Sequence, residues 1–183
     1  GKTAYNNSTR AVGGQVFTHL HSHTEYSLLD GLSRVEPLVR RCLELGMDTL
    51  AITDHGSLYG IVDFYSACLE AGIKPILGCE VYVAPNGRHA RSQEDRSPYH
   101  LVLLARDNTG YQNLLKLVSL AHLEGFYYRP RVDQELLEKY GDGLVVLSGC
   151  LSSELARLIM AGRTAEARNA AQRYKQRFGE DYY

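Results

Sequence analysis

Three histidines spaced two residues apart, in the segment HLHSH at residues 19–23, constrain this chain more than any other feature. An apolar lead into them predicts a strand over residues 16–21. Side chains two apart on a strand share a face, so His21 and His23 can point into one site and chelate a metal. His19 has the same parity but lies one strand step deeper, which indicates a packed histidine or one that orients a ligand. Two ordinary polar residues at a strand end are the alternative.

Length and composition are those of an ordinary globular domain. The 183 residues, 44% hydrophobic and 22% charged, suit one domain with a buried core. The net charge of −1 gives no global basic field, so any contact with DNA must be local. No apolar run could span a membrane, and the polar, glycine-bearing residues 1–15 lead us to expect no signal peptide. The four cysteines form no CxxC pair, so we expect reduced thiols and a cytoplasmic location.

Apolar periodicity predicts alternating helices and strands after the histidine cluster. The predicted helices cover residues 33–46, 60–71, 108–124, 133–140, 152–160 and 164–178, and the further strands cover residues 49–53, 75–82, 100–105 and 143–148. Strands joined by helices imply βαβ units, a parallel sheet and an α/β barrel. Five strands, with the start of a sixth at residues 181–183, do not close a barrel. We therefore expect a flexible lead at residues 1–14 and one domain at residues 15–183 that belongs to a longer protein.

Side chains of metal-ligating type lie near the ends of these predicted strands. They are His21, His23, Asp30, His55, Glu80, His100 and Cys150. Histidine, carboxylate and thiolate together favour zinc or a similar transition metal over magnesium or calcium. So many candidates exceed the needs of one tetrahedral ion, which indicates two or three divalent ions with Glu80 able to bridge them. Such a cluster can activate water near neutral pH and can serve phosphoryl transfer.

Several of the candidates also have simpler explanations. Asp54 can cap the turn after its strand or orient a ligating histidine, and Asp30 can order the following glycine. Cys150 can be a small buried apolar residue. His100 opens its apolar run, which would place it at the amino end of a strand, away from the other candidates. Either that strand begins earlier or the loop before it, at residues 84–98, folds over the site.

Six blocks of the sequence resemble one known family. In order they are FTHLHSHTEYSLLDG, AITDHGSLYG, GIKPILGCEVYVAP, YHLVLLARDNTGYQNL, GFYYRPRVD and GLVVLSGCLSSE. They are similar to the PHP (polymerase and histidinol phosphatase) domain that begins the alpha subunits of bacterial DNA polymerase III, and the similarity covers residues 17–183. The resemblance implies a distorted seven-stranded βα barrel with a trinuclear metal site. It assigns the ligands to His21, His23, Asp30, His55, Glu80, His100 and Cys150, with zinc expected first and manganese or iron as alternatives.

The resemblance also implies an activity and partners. With Glu80 and His55 as catalytic residues, the site would be a metal-dependent phosphoesterase that proofreads as a 3′–5′ exonuclease within a replicative nucleotidyltransferase. The expected partners are the 3′ end of single-stranded or primer DNA, the remaining polymerase domains and other replisome subunits, with no membrane. A non-catalytic, metal-stabilised scaffold for the polymerase is the alternative. The family's last ligands, an Asp-x-His motif on a later strand, would follow Tyr183.

A basic and aromatic segment offers a substrate contact. Arg129 and Arg131 lie beside Tyr127 and Tyr128. Together they combine guanidinium forks for phosphate with ring faces for base stacking. We predict that both arginines bind DNA, with an ordinary surface turn as the alternative.

Overall fold

The computed structural model describes residues 17–183, and its helices match the predicted ones closely. The predicted lead at residues 1–14 lies outside the described residues, as does the start of the predicted first strand. The helices are α1 (Val35–Glu44), α2 (Ile61–Ala71), α3 (Asn108–Leu123), α4 (Gln134–Tyr140), α5 (Glu154–Met160) and α6 (Thr164–Phe178). The strands are β1 (Thr49–Ile52), β2 (Lys74–Val83), β3 (Tyr99–Ala105), β4 (Arg131–Val132) and β5 (Leu144–Leu147). Within residues 17–183, no helix is both long and apolar enough to cross a bilayer.

A five-stranded sheet organises the chain, with the order β1-β2-β3-β5 and with β4 paired to β2. β1 and β2 are parallel and are joined by α2, as the βαβ prediction requires. β3 is antiparallel to both β2 and β5, so the prediction of a wholly parallel sheet is wrong. The connection from β2 to β3 contains a short 3₁₀ turn but no α-helix, the usual carrier of a parallel crossover. The α/β class is confirmed, and the strand path in residues 17–183 stays open between β1 and β5.

The direction of β3 explains the position of His100. The register pairs Tyr82 with His100 and Glu80 with Val102. The first residues of β3 therefore lie beside the last residues of β2. His100 is the second residue of β3 and is nevertheless at the carboxyl end of β2, so the antiparallel direction places it at the site without a folded-over loop.

Residues 17–23 run beside β1 without forming the predicted strand. The amides of Ala51 and Thr53 donate to the carbonyls of His19 and Ser22 at 3.0 and 2.8 Å. Donors two residues apart, Ala51 and Thr53, thus pair with acceptors three residues apart, His19 and Ser22. The additional residue in segment 17–23 interrupts the regular hydrogen-bond ladder. The Ser22 amide donates instead to the Thr53 hydroxyl at 3.0 Å. The histidine cluster consequently lies on an irregular segment that is pinned to β1.

Apolar clusters cover both faces of the sheet. The largest includes Leu103 and packs the sheet against α3, α4 and α6, and a second includes Phe64 and joins α1 and α2 to β1. Val102 and Leu104 belong to a smaller cluster on the opposite face. Because Glu80 is paired with Val102, its side chain shares the face of this smaller cluster.

The last residues pair with β5. Tyr182 forms a parallel bridge with Val146, and the Tyr183 amide donates to the Val146 carbonyl at 2.9 Å. The Ser148 amide donates to the Tyr183 carbonyl at 2.8 Å. The predicted start of a sixth strand therefore appears as this pairing, although Asp181 still belongs to a 3₁₀ turn (Gly179–Asp181).

Candidate metal centre

Glu80 is the carboxylate around which the candidate site is built. It lies in β2, and only 1% of the residue is exposed. Its neighbours Cys79 and Val81 are buried in the largest apolar cluster, on the other face of the strand. A buried carboxylate is stable only with charged or hydrogen-bonding partners, so the groups around Glu80 define what the site can do.

Three histidines lie around one oxygen of Glu80. The Oε2 atom is 2.6 Å from His21 Nε2, 3.0 Å from His23 Nε2 and 3.6 Å from His55 Nδ1. The rings of His23 and His55 are stacked, with centroids 4.2 Å apart. The HxH segment and the turn after β1 therefore deliver their imidazoles to the same atom.

The other carboxylate oxygen of Glu80 faces β3 and the segment after β5. The Oε1 atom is 2.8 Å from His100 Nδ1 and 3.5 Å from Cys150 Sγ. Two triads bring their ligand atoms within 4.8 Å of one another, and they are His21–His23–Glu80 and His55–Glu80–His100. Glu80 belongs to both triads, which is the arrangement of a carboxylate that can bridge two ions.

Backbone pairing at the sheet end sets these positions. The Gly56 amide donates to the Glu80 carbonyl at 2.9 Å, and the Glu80 amide donates to the Asp54 carbonyl at 3.1 Å, which places His55 beside Glu80. The His100 amide donates to the Ser152 carbonyl at 3.1 Å, which brings the segment after β5 to the start of β3.

Asp30 joins the site through His55. Its Oδ2 atom lies 2.9 Å from His55 Nε2, and its side chain is 52% exposed. The following residue must be glycine, because a Cβ on Gly31 would lie 1.7 Å from the carbonyl oxygen of Thr24. Asp30 thus occupies a tight turn on the solvent side of the cluster and contacts the outer nitrogen of His55.

Asp54 fixes the loop that carries the HxH histidines and Asp30. This buried carboxylate accepts hydrogen bonds from the Thr24 amide at 2.6 Å, the Thr24 hydroxyl at 2.7 Å and the Ser27 hydroxyl at 2.8 Å. The Ser27 hydroxyl in turn accepts from the His55 amide at 3.1 Å. Asp54 therefore acts on the ligating side chains through the backbone and hydroxyls around them, which is a more indirect link than a bond to a histidine ring.

The contacts shift the proton affinities in the cluster. Burial by itself would raise the pKa of Glu80, but the contacts with three histidines, His100 first, hold that pKa well below its ordinary value. The hydrogen bond to Glu80 raises the pKa of His23, whereas burial lowers the pKa of His55. Glu80 is therefore ionised throughout the physiological range, as a metal ligand must be.

The donor set fits a transition metal. The Nδ1 atoms of His23 and His55 are buried, and within residues 17–183 neither has a hydrogen-bond partner. Leaving a buried polar atom unpaired costs about 1–3 kcal/mol, and a cation bound beside Glu80 would offset that cost at His55, whose Nδ1 atom faces the carboxylate. Imidazoles, a shared carboxylate and a thiol are ligands that zinc and iron accept readily.

Arg131 lies away from this site, which contradicts its predicted contact with DNA. The residue is 0% exposed. Its guanidinium donates to backbone carbonyls at 2.8–3.2 Å, and these belong to Gly125, Arg88, Ala90 and Asp95. β4 carries Arg131 into the interior beside β2, so its charge holds the loop at residues 84–98 instead of a phosphate.

His19 is exposed, so it is not a packed histidine, and the alternative that it orients a ligand stays a prediction. Its ring lies against Phe17, with centroids 4.8 Å apart. The regular ladder that would have carried it beneath the cluster is absent from this segment. Arg129, in contrast, is exposed, with its guanidinium carbon 5.8 Å from the ring centroid of Tyr82.

A cleft of about 530 Å³ borders the cluster. Asp30, His55 and His100 line it together with Arg129. Aromatic residues that the sequence pattern did not reveal complete its wall, and they are Tyr26, Tyr59, Tyr82, His122 and Phe126. Tyr82 carries a usable signal, because it lies two residues after Glu80 on a strand and therefore shares its face. His122 and Phe126 are four residues apart at the end of α3, with ring centroids 6.4 Å apart, whereas Tyr26 and Tyr59 lie on other segments of the chain.

A family model described as PHP domain matches residues 19–183, and the chain belongs to that family. Its relatives include the DNA polymerase III subunit alpha of Treponema pallidum, 49% identical over 169 residues, covering 91% of this chain and 14% of that protein. The DNA polymerase III subunit alpha of Borreliella burgdorferi is 46% identical over 169 residues, covering 91% of this chain and 15% of that protein. The chain thus spans less than one sixth of the length of these relatives. The solved structure of an amidohydrolase from Chromobacterium violaceum has a TM-score of 0.39 at 17% identity, covering 85% of this chain and 54% of that one.

Proposed function

We propose that this chain supplies a metal-dependent phosphoesterase centre to a bacterial replicative DNA polymerase, and that the centre removes nucleotides from a DNA 3′ end. The observation that carries the proposal is the sharing of Glu80 by two ligand triads. A pair of cations bridged by a carboxylate suits phosphoryl transfer, because it can act on both the attacking and the leaving oxygen. The names of the relatives support the polymerase setting.

Two or three divalent ions would bind here, with zinc expected first and manganese or iron as alternatives. One ion would be held by His21, His23 and Glu80, and another by His55, Glu80 and His100. Cys150 lies 3.7 Å from His100 Nδ1 and would join the second group. Asp30, beside the outer nitrogen of His55, would complete the set on the solvent side.

The bound cations and the residues of the chain would have separate roles in phosphodiester hydrolysis. Bound cations would supply Lewis-acid activation of water and of a phosphodiester. Glu80, ionised and anchored in β2, would keep two cations close together by screening their repulsion. His55 would be held in one orientation by Asp30. Arg129, exposed at the cleft, would offer parallel N–H donors to a phosphate oxygen.

The partners follow from this role. The site would receive the 3′ end of single-stranded or primer DNA, and the domain would contact the remaining polymerase domains and other replisome subunits. The location would be the cytoplasm, where bacterial DNA is replicated.

The test is Glu80→Gln in the intact polymerase subunit. Glutamine keeps the size and loses the charge, so two cations would repel each other and one should leave. We expect trimming of a mismatched primer to fall at least about a hundredfold, the scale of losing a major electrostatic contributor. Nucleotide addition should persist, because its active site would lie in another part of the subunit. The assay is primer extension and trimming with and without deoxynucleotides, together with metal counting by mass spectrometry.

Glu70→Gln, an exposed change on α2, is the matched control and should leave trimming and metal content unchanged. Undiminished trimming by Glu80→Gln with a full metal complement would refute the mechanism. Loss of metal and stability without any trimming activity in the wild type would indicate the metal-stabilised scaffold instead.

A further inference from the structure

Exposed apolar side chains concentrate around the cleft that borders the candidate metal ligands. We call these ligands the metal-type cluster, and they are His21, His23, Asp30, His55, Glu80, His100 and Cys150. Tyr59, Phe126 and Tyr128 are 69%, 54% and 59% exposed, and Leu28 and Leu29 are 89% and 82% exposed. All five line the same cleft. Single exposed apolar residues are ordinary on a protein surface, but a contiguous group at a cleft marks a binding site.

The backbone of Tyr128 is held in an unfavourable conformation at this place. Its φ of 59° is the one positive value at a non-glycine residue in the described part of the chain. The Tyr127 amide closes the turn by donating to the Arg129 carbonyl at 3.0 Å. The Arg96 guanidinium carbon lies 5.0 Å from the ring centroid of Tyr128. Such strain persists only where the surroundings enforce it, and here it accompanies a ring that lines the cleft.

The lining of the cleft combines two kinds of chemistry. His55 and His100 belong to the metal-type cluster, and the Arg129 guanidinium carbon lies 5.8 Å from the ring centroid of Tyr82, which stacks on His55. Asp30, a carboxylate of this lining, is already paired with His55. Much of the remaining lining consists of rings and leucines. A fitting ligand therefore carries a phosphate together with a flat, uncharged, aromatic group, which describes a nucleotide.

We propose that this cleft is the subsite for the base of the 3′-terminal nucleotide, which stacks on the rings of Phe126 and Tyr128. The inference rests on the proposed function, because the cluster would act on the phosphate that precedes that base. Ring stacking tolerates every base, since each base has a π face. The subsite therefore favours an unpaired 3′ end and has no preference for a particular base. A base still paired and stacked in a duplex could not enter, which would direct the activity to frayed or mismatched ends.

The experiment compares two oligonucleotides that differ only at the 3′ end. One carries a terminal thymidine, and the other carries an abasic deoxyribose attached through the same phosphodiester bond. In the intact subunit, without deoxynucleotides, we expect kcat/KM to be about tenfold or more higher for the thymidine end, the scale of one stacked base. Phe126→Ala and Tyr128→Ala should each lower kcat/KM for the thymidine end and leave the abasic end unchanged.

Two controls separate stacking from folding. Tyr128→Phe keeps the ring and should keep the preference, and Tyr65→Ala removes an exposed ring on α2, outside the cleft, and should change neither substrate. Equal rates on the two ends in the wild type would overturn the stacking subsite and leave the exonuclease standing. An equal loss on both ends in the alanine variants would also overturn it, since that result indicates a structural role. A wild type that cleaves neither end would refute the proposed function, and this inference with it.

Discussion

At the scale of single residues, burial decides what a charged side chain can do. A guanidinium removed from water must replace its hydration with protein acceptors. Arg131 does so with three carbonyls within the loop at residues 84–98 and with the carbonyl of Gly125 after α3. Arg88, which is also nearly buried, contacts Asp133, Glu124 and Glu135 in the same region. These two arginines hold the loop before β3 in place, and His100 follows directly from it.

We predict that Arg131→Met destabilises the domain by about 3 kcal/mol, because buried carbonyls lose their donor and the loop loses its anchor. Hydrogen exchange of the amides at residues 84–98 should then become roughly a hundredfold faster, since each 1.4 kcal/mol corresponds to a factor of about ten. The measurement is hydrogen–deuterium exchange read by mass spectrometry. Arg129→Met, at an exposed neighbour, should leave this exchange unchanged while weakening DNA trimming. Unaltered loop exchange in Arg131→Met would contradict the anchoring role.

At the scale of elements, the metal-type cluster depends on an irregular loop and on one antiparallel strand. Residues 24–31 have little regular structure, so Asp54 and the Thr24 and Ser27 hydroxyls take the place of a backbone ladder. The short distances to Asp54 indicate charge-assisted hydrogen bonds, which are stronger than neutral ones. The loop is therefore a built part of the site, fixed from β1 rather than left mobile.

Asp54→Ala should loosen this loop and lower metal affinity by about 10- to 100-fold, the effect of losing a residue that orients ligands. The change removes an acceptor shared by three donors, so His23 and Asp30 lose their fixed positions. Isothermal titration of the metal-free intact subunit with zinc measures the effect directly. Asp142→Ala is the matched control, because Asp142 is exposed beside the start of β5, whereas the cluster adjoins the segment after that strand. Unchanged affinity in Asp54→Ala would show that the loop is held by other contacts.

At the scale of the whole molecule, bound metal should stabilise the domain. The cluster draws on the segment at residues 17–23, the turn after β1, strands β2 and β3 and the segment after β5, so a cation there links segments far apart in the chain. A ligand present at a hundred times its Kd adds about 2.7 kcal/mol to the free energy of unfolding. In a domain of this size, that corresponds to a rise in Tm of roughly 5–10 °C.

Removal of metal with a chelator should therefore lower the Tm of this domain by roughly 5–10 °C, and zinc added back should restore it. Differential scanning calorimetry of the intact subunit, with metal content checked by mass spectrometry, tests the expectation. Glu80→Gln should show a much smaller response to the chelator. A verified loss of metal without a shift in Tm would contradict the link between the cluster and stability.

Local patterns in the sequence determine much of this fold. The helix predicted at residues 60–71 is α2, and Gly72 ends it with a φ of 72°, a left-handed conformation that favours glycine. The residue types at the strand ends, His100 included, indicated a metal site, and the resemblance to the PHP family favoured His100 as a ligand although its spacing alone did not. Periodicity and helix caps involve neighbours a few positions apart, so they can be read from sequence.

Only the tertiary structure decided the remaining features. The direction of β3 placed His100 at the site. The additional residue in segment 17–23 replaced the predicted strand with an irregular segment that is hydrogen-bonded to β1. The pairing of β4 with β2 buried Arg131. The aromatic wall of the cleft comes from segments separated by many residues, as Tyr59 and Phe126 illustrate. Each of these outcomes depends on which distant segments pair and which side chains they bury. Burial and pairing depend on contacts across the whole chain, so local sequence patterns do not predict them.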